Sequence, residues 1–287
     1  MQDNSNNINL HQLNRLSWNE ATKAHNSHKG DQGKLLKEGW CTLFEEDKEL
    51  LGDVKGLDIL HLQCNSGQDS LSIARLGANV LGVDISDEAI EFARKLSKES
   101  GIEAQFELGD IIEWMPLHKK QYDIIYCSYG TICWINSKYM DEWAQGIHKL
   151  LKPNGRFVFI DFHPFLLYFN NQWEPTYSYF FRGPLEEDGV GDYVEDSGDA
   201  LKGPQATAQK SEKFENPHKS FEFFHGLGDI FTPLLKTGLL INHFKEYPYS
   251  NGWKGFKDMK EIGSRKFEPP EYIPKLPLMF SIVVKKQ

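Results

Sequence analysis

Two stretches of this 287-residue chain hold residues whose types and spacing could do chemistry together. One is His61-Leu62-Gln63-Cys64-Asn65-Ser66-Gly67-Gln68-Asp69, which closes an apolar run at 57–62 and opens a helical run at 68–76, stopped by Gly77. The other is Asp84, at the end of the apolar run Val80-Leu81-Gly82-Val83. Strand, tight loop, helix, strand, acid is the layout of a nucleotide site in a doubly wound α/β sheet. A carboxylate at the end of the second strand can accept two hydroxyl hydrogen bonds, and charged acceptors make the stronger bonds. Gly109-Asp110 ends a third run at the same sheet edge. A pyrophosphate loop uses glycines because phosphates must approach bare backbone at a helix N-terminus. Here Gln63 and Asn65 hold two of the glycine slots, which points to a ligand without phosphates that meets side-chain amides. The same residues also fit plainer roles: Asp84 as a helix cap, Asp110 as a turn acid, Gln63 and Asn65 as turn formers.

S-adenosylmethionine is such a ligand: an adenosine, a sulfonium and a free amino acid. Methyl transfer from it needs alignment and a dry site, and an oxygen or nitrogen acceptor that carries a proton calls for a base to take it. Candidate bases sit where the chain faces the loop: Tyr129 after strand four, His163 after strand five, His225 before the late helix, and His25 in the N-terminal segment. His163 comes first, because the end of strand five opens onto the acceptor side. Each also fits a structural or surface role. His61, at the end of strand one under the loop, reads as structural. His61, Cys64, Cys127 and His163 match no metal-ligand spacing, so no metal is expected.

The segment ILHLQCNSGQDSLSIARLGANVLGVDISDEAIEFAR, residues 59–94, resembles the cofactor-binding half of class I S-adenosylmethionine-dependent methyltransferases. The likeness is good over 57–163. It is closest to a bacterial small-molecule branch, with Trp18-Asn19-Glu20 and His25 ahead of the sheet, HLQC in the loop, Ser128-Tyr129-Gly130-Thr131 and Trp134 after strand four, and His163-Pro164 after strand five. The family loop usually begins with an acid; here that place is His61. The resemblance implies that Gln63, Asn65, Gly67 and Gln68 surround the methionine part. Asp84 would take the ribose hydroxyls with Ile85 against the adenine. Asp110 would accept from the adenine amino group, with Gly109 and Ile111 beside it. Ser128 would close the site near the sulfonium. Trp18 and His25 would reach the cofactor from the N-terminal segment. The product would be S-adenosylhomocysteine.

These residues need a scaffold, and the pattern supplies one. Strands are expected at 57–62, 79–83, 103–108, 122–127 and 156–161, the last after the turn Pro153-Asn154-Gly155. Helices are expected at 68–76, 87–99 with Ser86 as N-cap and Gly101 as stop, and 139–151. Such alternation predicts a mainly parallel sheet with both faces covered. By the resemblance it is a doubly wound, Rossmann-like sheet of seven strands in order 3-2-1-4-5-7-6, the last antiparallel. The chain divides into an N-terminal helical lid (1–50, one or two helices after a disordered 1–9), the cofactor core (51–163), an inserted antiparallel cap (164–224) and the rest of the core (225–287). Short cap strands are expected at 177–181, 191–194 and 205–214. A helix at 227–237, a strand at 239–247, a loop at 250–277 and a strand at 278–285 follow. Trp134, Phe165, Tyr168 and Trp173, with Tyr177, give the cap either a hydrophobic core or a pocket for an apolar or aromatic acceptor.

The whole composition narrows the partners. A net charge of −9 argues against a general nucleic-acid binder. No apolar run reaches the ~20 residues of a membrane helix, and the polar start is unlike a signal peptide. Cys41, Cys64, Cys127 and Cys133 read as reduced cytoplasmic thiols. The expected enzyme moves a methyl group to an oxygen, nitrogen or carbon of a small molecule, as monomer or homodimer. A nicotinamide-dependent oxidoreductase and a non-catalytic cofactor-binding protein are the rival readings.

Overall fold

The computed structural model describes residues 9–197, 200–202, 204 and 214–287. Its centre is a seven-stranded sheet: β1 (Asp58–Leu62), β2 (Asn79–Asp84), β3 (Gln105–Leu108), β4 (Tyr122–Ser128), β5 (Leu151–Phe162), β6 (Leu240–Tyr247) and β7 (Met279–Lys285). The order is β3-β2-β1-β4-β5-β7-β6, with β7 antiparallel to both neighbours. The expected order holds.

Alternate residues of the central strands feed two cores. Leu60, Leu62, Ile125, Cys127, Phe157 and Phe159 pack on one face; Ile59, Ile124, Tyr126, Val158 and Ile160 pack on the other. A strand apolar on both faces is stable only when both are covered, and each fully buried large side chain contributes about 1.5–3 kcal/mol. Helices α4 (Gln68–Arg75), α5 (Asp87–Ser100), α6 (Ile111–Leu117), α7 (Met140–Leu150) and α8 (Leu227–Lys236) supply the cover, together with α1 (Leu10–Ser27), α2 (Gln32–Lys37) and α3 (Glu45–Leu51) before the sheet. In α5 the Ser86 side chain accepts from the Ala89 amide, and Gly101 ends the helix at φ +71°.

Several expectations need correction. The N-terminal segment makes three helices rather than one or two. Helix α6 follows β3 directly; its lone proline, Pro116, sits in the last turn and hides a short helix from a periodicity reading. Residues 177–181 are a turn, not a strand: Ser178 Oγ accepts the Phe180 amide and the Arg182 guanidinium binds the Tyr179 and Phe181 carbonyls. The residues expected as a strand at 191–194 instead enter a one-turn helix, Tyr193–Asp196, capped by Asp192. The antiparallel pair in the insertion is Pro184–Glu187 with Ser220–Phe223. The expected strand at 205–214 lies, but for Phe214, outside the described residues, as do residues 1–8. The loop at 250–277 contains a small three-stranded sheet of Ser250–Asn251, Lys260–Glu261 and Lys266–Glu268.

Candidate active site

At the end of β1 the chain turns through three left-handed residues, Gln63 (φ +54°), Asn65 (φ +47°) and Gly67 (φ +78°). Glycine visits this region freely, and asparagine does so when its side chain bonds locally. Asn65 Oδ1 accepts from the Ser66 amide at 2.6 Å and the Ser66 hydroxyl at 2.9 Å. Gln63 Nε2 donates to the Thr131 carbonyl at 2.9 Å, tying this loop to the one after β4. Only at Gly67 is a side chain sterically excluded: a Cβ there would stand 2.7 Å from Ala93 Cβ and 2.8 Å from the Phe106 ring.

Asp84 closes β2 facing that loop. Its Oδ2 accepts the Asn65 amide at 2.8 Å and its Oδ1 the Ser86 amide at 2.9 Å. Burial pushes the carboxyl above its usual range, while these amides pull it back. Each oxygen keeps a further lone pair for a ligand. Asp110 closes the neighbouring strand and N-caps α6 through the Ile112 amide at 3.0 Å. Its other oxygen accepts from His11 Nδ1 at 2.7 Å.

Both carboxylates open into one cavity of about 990 Å³. Its walls include Gln63, Asn65, Gln68, Asp84, Ile85, Gly109, Asp110, Ile111 and Ser128, with Trp18, Trp134, Tyr129, His163 and His225. Five expected residues are not among its lining. Gly67 packs against α5. His25 is buried with its Nε2 donating to the Gly191 carbonyl at 2.9 Å and its ring 4.0 Å from Tyr193. Phe165 stacks on Tyr168 at 5.6 Å, and Trp173 stacks on Phe256 at 4.1 Å with its indole N–H on the Lys257 carbonyl. Trp173 belongs to a core that the cap shares with the loop at 250–278, whereas Phe165 and Tyr168 are half-buried.

The candidate bases separate by their free lone pairs. Tyr129 donates its hydroxyl to Asp47 at 2.9 Å and accepts from Asn251 at 3.0 Å. His163 Nδ1 accepts the Phe165 amide at 3.1 Å, leaving the proton on Nε2, which faces Glu246 at 3.2 Å. His225 donates from Nε2 to the Ile135 carbonyl at 2.9 Å, and its Nδ1 has no partner although the residue is only 3% exposed. Burial lowers its pKa, so the ring is neutral and Nδ1 carries an open lone pair. His61 is buried with Nδ1 2.8 Å from Ser70 Oγ, and it too borders the cavity.

Four groups on this wall have no signal in sequence spacing. His11 is one. Lys29 borders the cavity, and burial drags its ammonium down to about 8 against the pull of Asp69 and Asp192. Asp161 ends β5 and accepts the amides of Gly130, Thr131 and Ile132 and the Thr131 hydroxyl, mooring the loop after β4. An acid at a strand-five end is visible in the sequence, but its amide partners are not. Glu222 is the fourth. Among the described residues no group of three or more His, Cys, Asp or Glu could hold a metal ion, the four cysteines are free, and no helix is long and apolar enough to cross a membrane.

Residues 59–155, about a third of the chain, match the family model described as a methyltransferase domain. A ubiquinone biosynthesis O-methyltransferase of Salmonella arizonae is 35% identical over 114 residues, 39% of this chain and 45% of that protein. A demethylmenaquinone methyltransferase of Lactococcus lactis is 31% identical over 134 residues, 42% and 52% of the two chains. The matches thus span about half the length of these curated relatives. The crystal structure of an S-adenosylmethionine dependent methyltransferase from Mesorhizobium loti superposes with a TM-score of 0.58 at 20% identity, covering 87% of this chain and all of that one, a likeness of fold. The resemblance read from residues 59–94 is borne out by the methyltransferase-domain match.

Proposed function

We propose that this chain transfers a methyl group from S-adenosylmethionine to a small-molecule acceptor. The observation that carries the reading is the placement of Asp84 and Asp110 at adjacent strand ends, both open to one cavity beside an amide-bearing loop. Adenosine offers two neighbouring hydroxyls and an amino group, and each carboxylate has lone pairs left to accept them. The amino-acid end offers a carboxylate, for which Lys29 supplies the charge, and an ammonium, which the amide oxygens of Gln63 and Gln68 can accept, their amide nitrogens being held by Thr131 and by Asn26 and Gln32. When bound, S-adenosylmethionine supplies a methyl carbon activated by its sulfonium. The protein's part is to hold the acceptor in line, exclude water and take up any proton released. His225, with an open lone pair at Nδ1, is the group on this wall equipped to take a proton.

Trp18 and Trp134, 5.3 Å apart edge to face, give the acceptor an apolar or aromatic surface. Oxygen, nitrogen and carbon nucleophiles all suit that surface. The first test is thermal shift. S-adenosylhomocysteine should raise the melting temperature and NADH should not; the reverse pattern would end this reading in favour of a nicotinamide-dependent reductase. Extract incubated with methyl-labelled cofactor, followed by mass spectrometry, would then name the acceptor.

A further inference from the structure

The hairpin of the inserted cap sets Leu185 opposite Glu222 and Glu187 opposite Ser220. Residues opposite one another and two apart share a face of a β-ladder, so Glu187, Ser220 and Glu222 come to one side. All three border the cavity. Asn14 of α1 clamps the strand from behind, donating to the Phe221 carbonyl at 2.8 Å and accepting its amide at 2.7 Å. One helical turn further, Trp18 stands against Trp134. The strand itself packs on the turn Ile132–Trp134.

Neither carboxylate forms an ion pair with Lys, Arg or His within 4 Å among the described residues. Among the described residues Lys219 pairs instead with Glu186 at 3.7 Å and Asp188 at 2.6 Å. Burial, reinforced by Glu187, pushes Glu222 up to about 7, and Glu222 in turn helps to push up the Cys133 thiol on the facing turn. Just past the strand, the buried His225 with its unpartnered Nδ1 borders the same cavity. Glu222 is half-buried and Glu187 stands exposed at the cavity rim, and two neighbouring carboxylates repel one another, a cost recovered when a cation joins them. Tryptophan faces add to the attraction for a cation. A neutral phenol or alcohol would leave the same charges uncompensated.

We propose that the Glu187–Glu222 wall binds the protonated nitrogen of the acceptor, which makes the substrate class a small amine with an apolar or aromatic body. The inference rests on the methyl-transfer reading and narrows its acceptor. An ammonium has no lone pair to react with, so it must lose a proton first. His225 Nδ1 takes it: the N–H bond breaks, an Nδ1–H bond forms, and the electron pair stays on the acceptor nitrogen.

The test pairs amines with neutral look-alikes: tryptamine with indole-3-ethanol, and phenethylamine with 2-phenylethanol. Each is titrated by calorimetry into the whole protein saturated with S-adenosylhomocysteine. Each amine should bind at least tenfold more tightly than its alcohol. Glu222→Gln and Glu187→Gln should each erase that preference while leaving S-adenosylhomocysteine affinity unchanged. Equal or weaker binding of the amines, or none, overturns the proposal and leaves methyl transfer standing. A loss of cofactor affinity in Glu222→Gln also overturns it, because the wall would then serve the cofactor's own cationic groups. No binding of S-adenosylhomocysteine to the wild type sinks the underlying reading itself.

Discussion

His11 donates from Nδ1 to Asp110 at 2.7 Å, while its Nε2 accepts the amide of Asn136 at 3.0 Å. The second bond fixes the tautomer that the first requires. One ring therefore joins α1, the end of β3 and the segment between β4 and α7. His11→Ala leaves the Asp110 carboxylate and the Asn136 amide without this partner in a site only 5% exposed. A loss of about 1–3 kcal/mol is expected in urea unfolding. His11→Phe fills the volume but not the bonds and should lose nearly as much; full recovery by phenylalanine would show that the ring acts by packing alone.

Asp84→Asn keeps the size of the group but removes its charge. If both oxygens serve ribose hydroxyls, calorimetry should show S-adenosylhomocysteine bound about 1–3 kcal/mol more weakly. Unchanged affinity would return Asp84 to the role of a loop anchor for Asn65 and Ser86.

Lys29 offers a sharper comparison. 5′-Methylthioadenosine shares the nucleoside of the cofactor and lacks its amino-acid end. Lys29→Met should weaken S-adenosylhomocysteine by roughly tenfold, about 1.4 kcal/mol, and leave 5′-methylthioadenosine unaffected. Equal losses for both ligands would place the ammonium elsewhere than at the carboxylate.

Two buried groups pull the pH dependence of stability in opposite directions. Burial lowers His61 to about 4, so the unfolded chain binds its proton first as pH falls below 6.5. Its contribution is intact above about pH 6.5 and is lost toward pH 4, on the order of 3 kcal/mol. Burial raises Asp47 to about 7 despite hydrogen bonds from the Phe44 amide and the hydroxyls of Tyr126 and Tyr129. There the native state binds its proton first, so its contribution is full below about pH 4 and is lost as pH rises through 7. His61→Gln should therefore lessen acid destabilisation between pH 6.5 and 4, and Asp47→Asn should steepen it. Urea unfolding at pH 7.5, 5.5 and 4 checks both slopes; parallel curves for the two variants would contradict this assignment.

What the sequence made legible was what depends on local pattern. The β1–loop–α4–β2 unit, Asp84 and Asp110 stand at fixed spacings, so both acids could be read directly, while the strand order was implied by the family resemblance. The insertion could not: its aromatic run at 177–181 looks like a strand, yet Arg182 and Ser178 bond it into a turn. The candidate bases show the same limit. The sequence ranks His163 ahead of His225 by its place after strand five, while the placement of the Phe165 amide and the Ile135 carbonyl, which decides which nitrogen stays open, has no sequence signal. Lys29 was invisible because its burial is created by elements far along the chain.

Helix α1 leaves the ribosome before anything it will touch. Asn14 waits for Phe221, 207 residues later, His25 for Gly191 at 166, His11 for Asp110 at 99 and Arg15 for Asp87 at 72. Apart from Asn26, which bonds Gln32, Ser66 and Gln68, the helix has little to dock on until the sheet exists, and such long-range closures are slow. Synthesis thus runs opposite to assembly here: a helix made ahead of the sheet is among the last to settle. A nascent chain halted before residue 221 would carry the β2 and β3 acids but lack the hairpin that holds α1 over them.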